Sequence, residues 1–324
     1  MASVGLAASH LKARLQPDSP DSHGSLQSTM PRKPSATSKS TSPRTPKRTA
    51  RRKPNAKPKL TAATADRHQL YTAAVQNVEG EIDFVDETYF ALRGKHALRL
   101  REDFCGTAQT SCEWVRRRPI NTAVGIDLDE PTLQWGRDHV LSQLTEEQRS
   151  RLELRNRDVR DPGRKGRDMD VILAMNFSYN ALMVRADLLA YFKAARKSLA
   201  PGGLFIMDCY GGYESLMEQE ERRACKGFTY VWEQVRYNPI DATLDTAIHF
   251  EFKDGTEMRN AFTYHWRLWT MAELRDLLAE AGFTKTTAYW EGDDGKGGGD
   301  GNFKPATEGD ADASWIAYIV SEVD

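Results

Sequence analysis

Strand-like and helix-like segments alternate between residues 96 and 208, and this alternation constrains the fold more than any other feature of the chain. The run Val171–Met175 is apolar throughout, which is typical of a strand with helices on both faces of its sheet. The amphipathic segment 188–199 predicts a helix that ends at Pro201-Gly202-Gly203. This order predicts a doubly wound, mostly parallel α/β sheet. Its seven predicted strands are 96–104, 123–128, 152–155, 171–175, 204–208, 284–290 and 315–319.

The pattern changes between the fifth and the sixth predicted strands. Three short β-rich runs follow one another at 228–234, 246–252 and 259–266. The dipeptide Asp254-Gly255 between the last two is a typical hairpin turn. We therefore predict a small antiparallel β insertion at about 226–268.

The N-terminal segment differs in composition from the rest. Residues 1–60 hold eight of the 14 prolines, and the first aromatic residue of the types Phe, Trp and Tyr is Tyr71. Such a segment buries too little apolar surface to offset the entropy that ordering would cost. We predict a disordered basic tail over 1–65 and a folded domain over 66–324.

The two parts carry net charges of opposite sign. Residues 1–60 have a net charge of +11, from 13 basic and two acidic residues, and residues 61–324 have a net charge of −12, from 32 basic and 44 acidic residues. Three roles of the tail stay open. Its basic clusters at 47–48 and 51–53 fit nuclear localisation or contact with nucleic acid or protein. The apolar face formed by residues 4, 8, 11 and 15 fits an organellar transit peptide, and the third role is a solvated tail without an address. The nucleus or cytoplasm is favoured over an organelle.

Two classes of partner are not expected. No apolar run approaches the roughly 20 residues that span a bilayer, so we expect no membrane partner. The four cysteines lack paired CxxC spacing, and the acids of the loop 292–301 do not follow the EF-hand order. We therefore expect no metal site.

Polar residues stand at the ends of the first three predicted strands. Gly106 follows the first and lets the backbone approach a ligand closely. Asp127 ends the second, where a carboxylate can accept both hydroxyls of a ribose, and Asp158-Val159 ends the third, where an acceptor and a backbone N–H can bind an adenine edge. Ligands of doubly wound sheets bind beyond the carboxyl ends of the strands. The set predicts a nucleoside-containing ligand.

Five segments resemble the successive motifs of class I S-adenosylmethionine-dependent methyltransferases, which have a Rossmann-like fold. They are Leu100–Ala108 (LREDFCGTA), Ala123–Leu128 (AVGIDL), Asp158-Val159, Asp170–Asn176 (DVILAMN) and Leu199–Asp208 (LAPGGLFIMD). The resemblance covers roughly residues 70–324 and implies S-adenosyl-L-methionine as the cofactor.

The resemblance also implies roles for single residues. It places Gly106 beneath the sulfonium end of the cofactor, Asp127 at the ribose, and Asp158-Val159 at the adenine. Glu102 and Asp103 are rival acids for the amino-acid portion of the cofactor. The remaining cofactor contacts that it implies are Leu128 and Asn176.

One loop departs from the family pattern. The family has three glycines after the first strand, whereas Phe104 and Ala108 occupy the outer two positions here. Because Gly106 is the only glycine of this loop, the sequence does not predict its backbone conformation. The same loop argues against a dinucleotide enzyme, because a pyrophosphate requires the fuller G-x-G-x-x-G turn.

The sequence signals for the methyl acceptor are less specific than those for the cofactor. Asn176-Phe177-Ser178-Tyr179 is similar to the Asn-Pro-Pro-Tyr motif of amino-group methyltransferases, in which the Asn holds the acceptor nitrogen. The alternative is an ordinary Asn-capped turn with a packed tyrosine. Tyr210, after the fifth strand, is a candidate for the same pocket, and Tyr71 is a candidate to cover it.

We interpret the chain as an S-adenosylmethionine-dependent methyltransferase with a small-molecule acceptor, since a domain with a net charge of −12 repels phosphate. The catalytic candidates are Asn176, Tyr179 and Tyr210. Two alternatives stay open. One is a methyltransferase that acts on protein or RNA recruited by the basic tail, and the other is a catalytically inactive binding module with the cofactor fold.

Overall fold

A computed structural model describes residues 60–295 and 298–324. The predicted disordered tail lies outside the described residues, except for its last six positions. Within these, residues 61–64 form a turn, and the backbone N–H of Ala62 donates to Thr256 Oγ1 over 3.0 Å. The ordered chain therefore contacts the insertion before its first helix begins.

Seven α-helices and twelve β-strands make up the described residues. The helices are α1 (Arg67–Val75), α2 (Val78–Arg93), α3 (Gln109–Arg117), α4 (Glu130–His139), α5 (Glu146–Ser150), α6 (Arg185–Ser198) and α7 (Met271–Ala281). The strands are β1 (Arg99–Asp103), β2 (Thr122–Asp127), β3 (Leu152–Asn156), β4 (Met169–Ala174), β5 (Leu199–Gly211), β6 (Gln219–Ala224), β7 (Phe228–Asn238), β8 (Thr243–Phe252), β9 (Glu257–Arg267), β10 (Lys285–Asp293), β11 (Gly299–Ala306) and β12 (Trp315–Glu322).

The central sheet has the strand order β11-β10-β12-β5-β4-β1-β2-β3. Strands β1 to β5 run parallel, and β12 lies antiparallel between β5 and β10. The strand order reverses between β1 and β4, which is where a doubly wound sheet binds its ligand. The predicted mostly parallel α/β sheet with an antiparallel insertion is confirmed.

The sheet has eight strands, and the eighth, β11, was not predicted. It pairs with β10 at the edge of the sheet, and its sequence GDGNFKPA shows no apolar alternation. Glycine, proline and charge are typical of an edge strand, where pairing is needed on one side only.

A second sheet, of order β6-β7-β8-β9, lies in the chain between β5 and α7. All its pairings are antiparallel. One face packs against α1 and against the residues that follow β4, in a cluster that includes Tyr71, Phe177 and Ile316. The antiparallel sheet therefore covers the carboxyl ends of β4 and β5.

Helices cover both faces of the central sheet. Residues of α2 and α3 share one buried cluster with β1, and residues of α6 and α7 share another with β4 and β5. None of the helices in the described part of the chain is both long and apolar enough to cross a membrane.

Candidate active site

The loop between β1 and α3 passes through the left-handed region at three alternate residues. Phe104, Gly106 and Ala108 have φ angles of 57°, 52° and 61°. The family pattern has glycine at these three positions. The loop therefore keeps the left-handed backbone that glycine favours, although phenylalanine and alanine occupy two of the positions. Each non-glycine residue in this region stores about 1–2 kcal/mol of strain. Buried packing holds them there, because Ala108 is fully buried and the Phe104 ring meets Tyr191 edge-on at 5.4 Å.

Gly106 and Asp127 meet at the carboxyl ends of β1 and β2, next to the switch point of the sheet. The Gly106 N–H donates to Asp127 Oδ2 over 2.8 Å, and the Asp129 N–H donates to Oδ1 over 2.8 Å. The Asp127 residue is only 3% exposed. A Cβ added at Gly106 would meet nothing nearer than Thr132 Cγ2 at 3.9 Å. The site therefore combines an oriented carboxylate with open space above the glycine.

The two rival acids of β1 point to opposite faces of the sheet, as successive strand residues do. Glu102 faces α3 and accepts from the backbone N–H and the hydroxyl of Ser111, over 2.8 and 2.5 Å. Asp103 accepts from Arg101 over 2.8 Å and from the Tyr191 hydroxyl over 3.0 Å. Glu102 therefore lies with the loop and α3, and Asp103 lies on the α6 side with a guanidinium partner.

The ends of β2 and β3 are tied together. The Asn156 side chain donates to the Leu128 carbonyl over 2.8 Å, and the Leu128 side chain is 63% exposed. Asp158 accepts from Arg160 Nη2 over 2.7 Å, and this hydrogen bond lowers the pKa of the carboxyl. Val159 is buried. An adenine contact through Asp158 would therefore share the carboxylate with Arg160.

Asp208 fixes the turn that follows β4. It accepts from the backbone N–H groups of Asn176 and Phe177 over 2.6 and 2.8 Å. Both donors are left-handed, with φ angles of 60° and 57°. Burial raises the pKa of Asp208. The Asn176 side-chain Oδ1 is buried and accepts no hydrogen bond within the described residues.

Tyr179 and Tyr210 belong to different buried clusters, although Tyr210 is close enough to contribute to the raised pKa of Tyr179. The Tyr210 ring lies 4.6 Å from that of Phe177, beneath the antiparallel sheet. Tyr179 is buried in the cluster on the α6 and α7 side, where its hydroxyl donates to the Cys209 thiol. Asn176 and Tyr210 are thus neighbours through Phe177 and Asp208, and Tyr179 belongs to the core.

Helix α1 is held against α4 by Asp66. Asp66 Oδ1 accepts from the N–H groups of His68 and Gln69 over 2.9 and 3.0 Å, and its Oδ2 accepts from Trp135 Nε1 of α4 over 2.9 Å. This double use of Asp66 caps α1 and ties it to α4. Tyr71 lies on the buried side of α1, in the cluster that packs against the antiparallel sheet.

Sequence reasoning missed one acid of the site. Glu81 of α2 is 3% exposed, and its only hydrogen bond within the described residues comes from Thr110 Oγ1 at 3.4 Å. Burial raises its pKa to about 7. The signal was present, because Glu81 shares one face of α2 with the buried Val85 and Tyr89.

Among the residues that the structure describes, no group of three or more His, Cys, Asp and Glu side chains is arranged to hold a metal ion.

No protein-family model and no curated protein sequence matches the chain. Solved structures do. An S-adenosylmethionine-dependent methyltransferase from Clostridium acetobutylicum has a TM-score of 0.59 at 17% identity, over 79% of this chain and 97% of its own. This is the fold of class I methyltransferases. An amino pentose methyltransferase from Micromonospora echinaspora has the same fold, with a TM-score of 0.56 at 18% identity, over 79% of this chain and 95% of its own. A sugar N-methyltransferase from Streptoalloteichus has a TM-score of 0.55 at 16% identity, over 84% of this chain and 97% of its own.

The residues of the candidate site form two groups at strand ends of the central sheet. Gly106, Asp127 and Glu102 lie around the loop after β1. Asn176 follows β4, whereas Asp208 and Tyr210 lie within β5, near its carboxyl end, because this strand extends to Gly211 and not only to residue 208 as predicted. The two groups lie on either side of the point where the strand order reverses. The fold thus provides one polar site next to a second, more aromatic one.

Proposed function

We propose that the domain binds S-adenosyl-L-methionine at the carboxyl ends of β1, β2 and β3 and transfers its methyl group to a small-molecule acceptor. The observation that carries the proposal is the contact between Gly106 and Asp127. A ribose requires a fixed carboxylate, and the two backbone N–H groups fix this one. The open space above Gly106 suits a ligand without phosphate, because the loop lacks the glycines that a pyrophosphate would require.

The other cofactor contacts follow from the same geometry. Glu102, on the α3 side, is the acid proposed for the amino-acid portion, and Asp103 is excluded from this role by its pairing with Arg101 on the opposite face. Leu128 supplies an exposed apolar side chain beside Asp127. Asp158 and Val159 remain the proposed adenine contacts, and Asn176 lies across the switch point from Asp127.

The acceptor is proposed to lie beneath the antiparallel sheet. Asn176 and Tyr210 border this region, and the ring of Phe177, in the turn after β4, packs against Tyr210. Methyl transfer from a sulfonium is an in-line displacement, so positioning and exclusion of water supply most of the catalysis. Two of the solved structures are an amino pentose methyltransferase and a sugar N-methyltransferase, and these names, together with the net charge of −12 on residues 61–324, favour a small acceptor over nucleic acid.

The test has two stages. Calorimetry with S-adenosylmethionine and its demethylated product should show binding of both, and a nicotinamide dinucleotide should not bind. The protein is then incubated with methyl-labelled cofactor and a cell extract, and label is expected in the small-molecule fraction. Label confined to protein or RNA would favour the acceptor recruited by the tail, and binding without any transfer would favour an inactive module. No cofactor binding by the folded protein would overturn the proposal.

A further inference from the structure

Four tyrosine hydroxyls beneath the antiparallel sheet have no hydrogen-bond partner within the described residues. They belong to Tyr71, Tyr210, Tyr230 and Tyr264, here called the tyrosine cluster. The four residues come from α1, β5, β7 and β9. A buried polar group without a partner costs about 1–3 kcal/mol, so four at one interface require an explanation.

The four tyrosines pack in one buried cluster, and two carboxylates act electrostatically on its member Tyr71. Burial raises the pKa of Tyr71, and the charges of Tyr264, Tyr230, Glu81 and Asp208 raise it further, in that order. Groups from α1, α2, β5, β7 and β9 therefore act on one another electrostatically. The buried Oδ1 of Asn176 adds a further acceptor beside Asp208.

Negative charge in this region has no cationic partner in the described part of the chain. Glu81 accepts only from Thr110, and Asp208 accepts from backbone N–H groups. Two cations pack on rings of this region, Arg67 over Phe262 and Arg223 over Tyr230, each at 5.2 Å, and neither forms an ion pair with Glu81 or Asp208 among the described residues. A buried carboxylate without a counter-charge is strongly unfavourable, and a bound cation would relieve it.

We propose that the tyrosine cluster and Glu81 bind the ammonium group of a small-molecule amine, and that this amine is the methyl acceptor. The inference rests on the proposed function. Tyrosine rings favour a cation at their faces, their hydroxyl oxygens accept from N–H groups, and Glu81 supplies the counter-charge. A neutral alcohol of the same shape would satisfy the hydroxyls but not the charge.

The same arrangement accounts for the chemistry of the acceptor. An ammonium nitrogen has no lone pair, so it must first lose a proton, and Glu81 accepts it. The nitrogen lone pair then forms the bond to the methyl carbon, while the carbon–sulfur bond breaks and leaves its electron pair on sulfur. The product is a methylated ammonium, and the proton on Glu81 leaves to solvent after product release.

Hydroxyl deletion separates this role from a structural one. Tyr230→Phe and Tyr264→Phe each remove an oxygen that makes no protein hydrogen bond. If the hydroxyls were only structural defects, both variants would be neutral or more stable and nothing else would change. We expect unchanged or raised thermal stability, unchanged cofactor affinity and a rise in KM for the amine of about fivefold to tenfold. Tyr213→Phe, on an exposed tyrosine, is the control and should change none of these.

Matched ligand pairs test the charge. Glucosamine with glucose, cyclohexylamine with cyclohexanol, and 2-phenylethylamine with 2-phenylethanol differ in one functional group. Binding to the full-length protein loaded with S-adenosylhomocysteine is measured by saturation-transfer NMR, and transfer is measured with labelled cofactor. We expect amines to bind and accept methyl groups and their alcohols to do neither. Equal binding of both members, or binding of no amine, would overturn the proposal.

A substitution of Glu81 distinguishes this proposal from its strongest rival, in which Glu81 holds the ammonium of the cofactor. Glu81→Gln should raise the KM for the best amine about 10- to 100-fold, the loss expected for a charge-assisted hydrogen bond, and leave cofactor affinity unchanged. Glu87→Gln, at an exposed position of the same helix, is the control. An equal loss of cofactor affinity would reassign Glu81 to the cofactor. Intact cofactor binding without amine selectivity would refute this inference and leave the proposed function standing.

Discussion

The backbone N–H of Gly106 donates to the carboxylate of Asp127 over 2.8 Å, although the two residues are 21 positions apart. The contact joins the loop after β1 to the end of β2, so the carboxylate and the open space above the glycine are fixed relative to each other. A ligand that binds here needs little reorganisation of either group.

Asp127 should contribute most of the affinity for the ribose. We expect Asp127→Asn to weaken binding of S-adenosylmethionine by about 1.5–3 kcal/mol, because a neutral amide replaces a charged acceptor. Calorimetry measures the change, and circular dichroism verifies the fold. The control is Asp138→Asn, on the exposed side of α4, which should leave affinity unchanged. Unaltered affinity in folded Asp127→Asn would remove this residue from the cofactor site.

The left-handed backbone of Ala108 should make a glycine substitution stabilising. Ala108→Gly relieves steric strain at a φ of 61°, and we expect a gain of about 1 kcal/mol in the free energy of unfolding. Ala195→Gly is the matched control, because Ala195 is equally buried but lies in the interior of α6, where glycine costs about 1 kcal/mol. Urea unfolding of both variants measures the two signs. A loss of stability in Ala108→Gly would show that this position is not strained.

Glu81 should make the ligand-free protein less stable as the pH rises. Burial raises its pKa to about 7 from an ordinary value near 4.5, so between these values the folded state holds a proton that the unfolded state has lost. The free energy of unfolding then falls by about 1.4 kcal/mol per pH unit for this group. His68, whose pKa is lowered by burial from an ordinary value of 6.5, acts in the opposite direction below pH 6.5.

The difference between parent and Glu81→Gln isolates the contribution of Glu81. The variant should be more stable than the parent at pH 8, and the advantage should shrink as the pH falls to 5. Unfolding at pH 5, 6.5 and 8 measures it. A constant difference at all three pH values would show that Glu81 does not titrate in this range.

The boundary of the folded domain should lie close to Leu60. Deletion of residues 1–59 should change the melting temperature by less than about one degree, because that segment offers little apolar surface to a core. Deletion of residues 1–66 also removes Asp66, which caps α1 and accepts from Trp135. The loss of this cap costs about 1 kcal/mol, a shift of a few degrees. Equal melting temperatures for the two truncated proteins would contradict this role of Asp66.

Asn176 and Tyr179 should behave differently on substitution. Asn176→Ala removes a buried amide next to Asp208, and we expect at least a roughly tenfold loss of turnover, about 1.4 kcal/mol, at unchanged cofactor affinity. Tyr179→Phe removes a hydroxyl that faces Cys209 in the core, so stability should fall and turnover should hold. Turnover is measured once an amine acceptor has been found. The reverse pattern would return Tyr179 to the acceptor site.

The sequence predicted the parts of the fold in which apolar runs coincide with secondary structure. β2, β4 and β5 are buried on both faces and show in the sequence as apolar runs. β6 and β11 do not, because QEERRA and GDGNFKPA are edge strands with exposed alternate residues. Their pairing comes from the neighbouring strand, which no local pattern records.

The residues of the candidate site also divide into those that the sequence predicted and those that it did not. Gly106 and Asp127 could be predicted because each directly follows or ends a strand. The choice between Glu102 and Asp103 depends on the pleat of β1, which is buried on both faces, so polarity did not distinguish them. Glu81 is far from any motif, and only tertiary packing brings it close enough to act on Asp208. Left-handed backbone at Phe104 and Ala108 could not be read from residue type, since packing overrides local preference there.

The position of the antiparallel sheet between β5 and α7 has a consequence for how enzymes with this architecture diversify. The strands that cover the proposed acceptor region occupy one uninterrupted stretch, 219–267, whereas the ribose and sulfonium contacts proposed here all come from residues before 177. Mutations in the stretch can therefore alter which molecule is modified without disturbing the methyl donor. A lineage of such proteins can acquire new substrates by drift, recombination or exchange of this single segment.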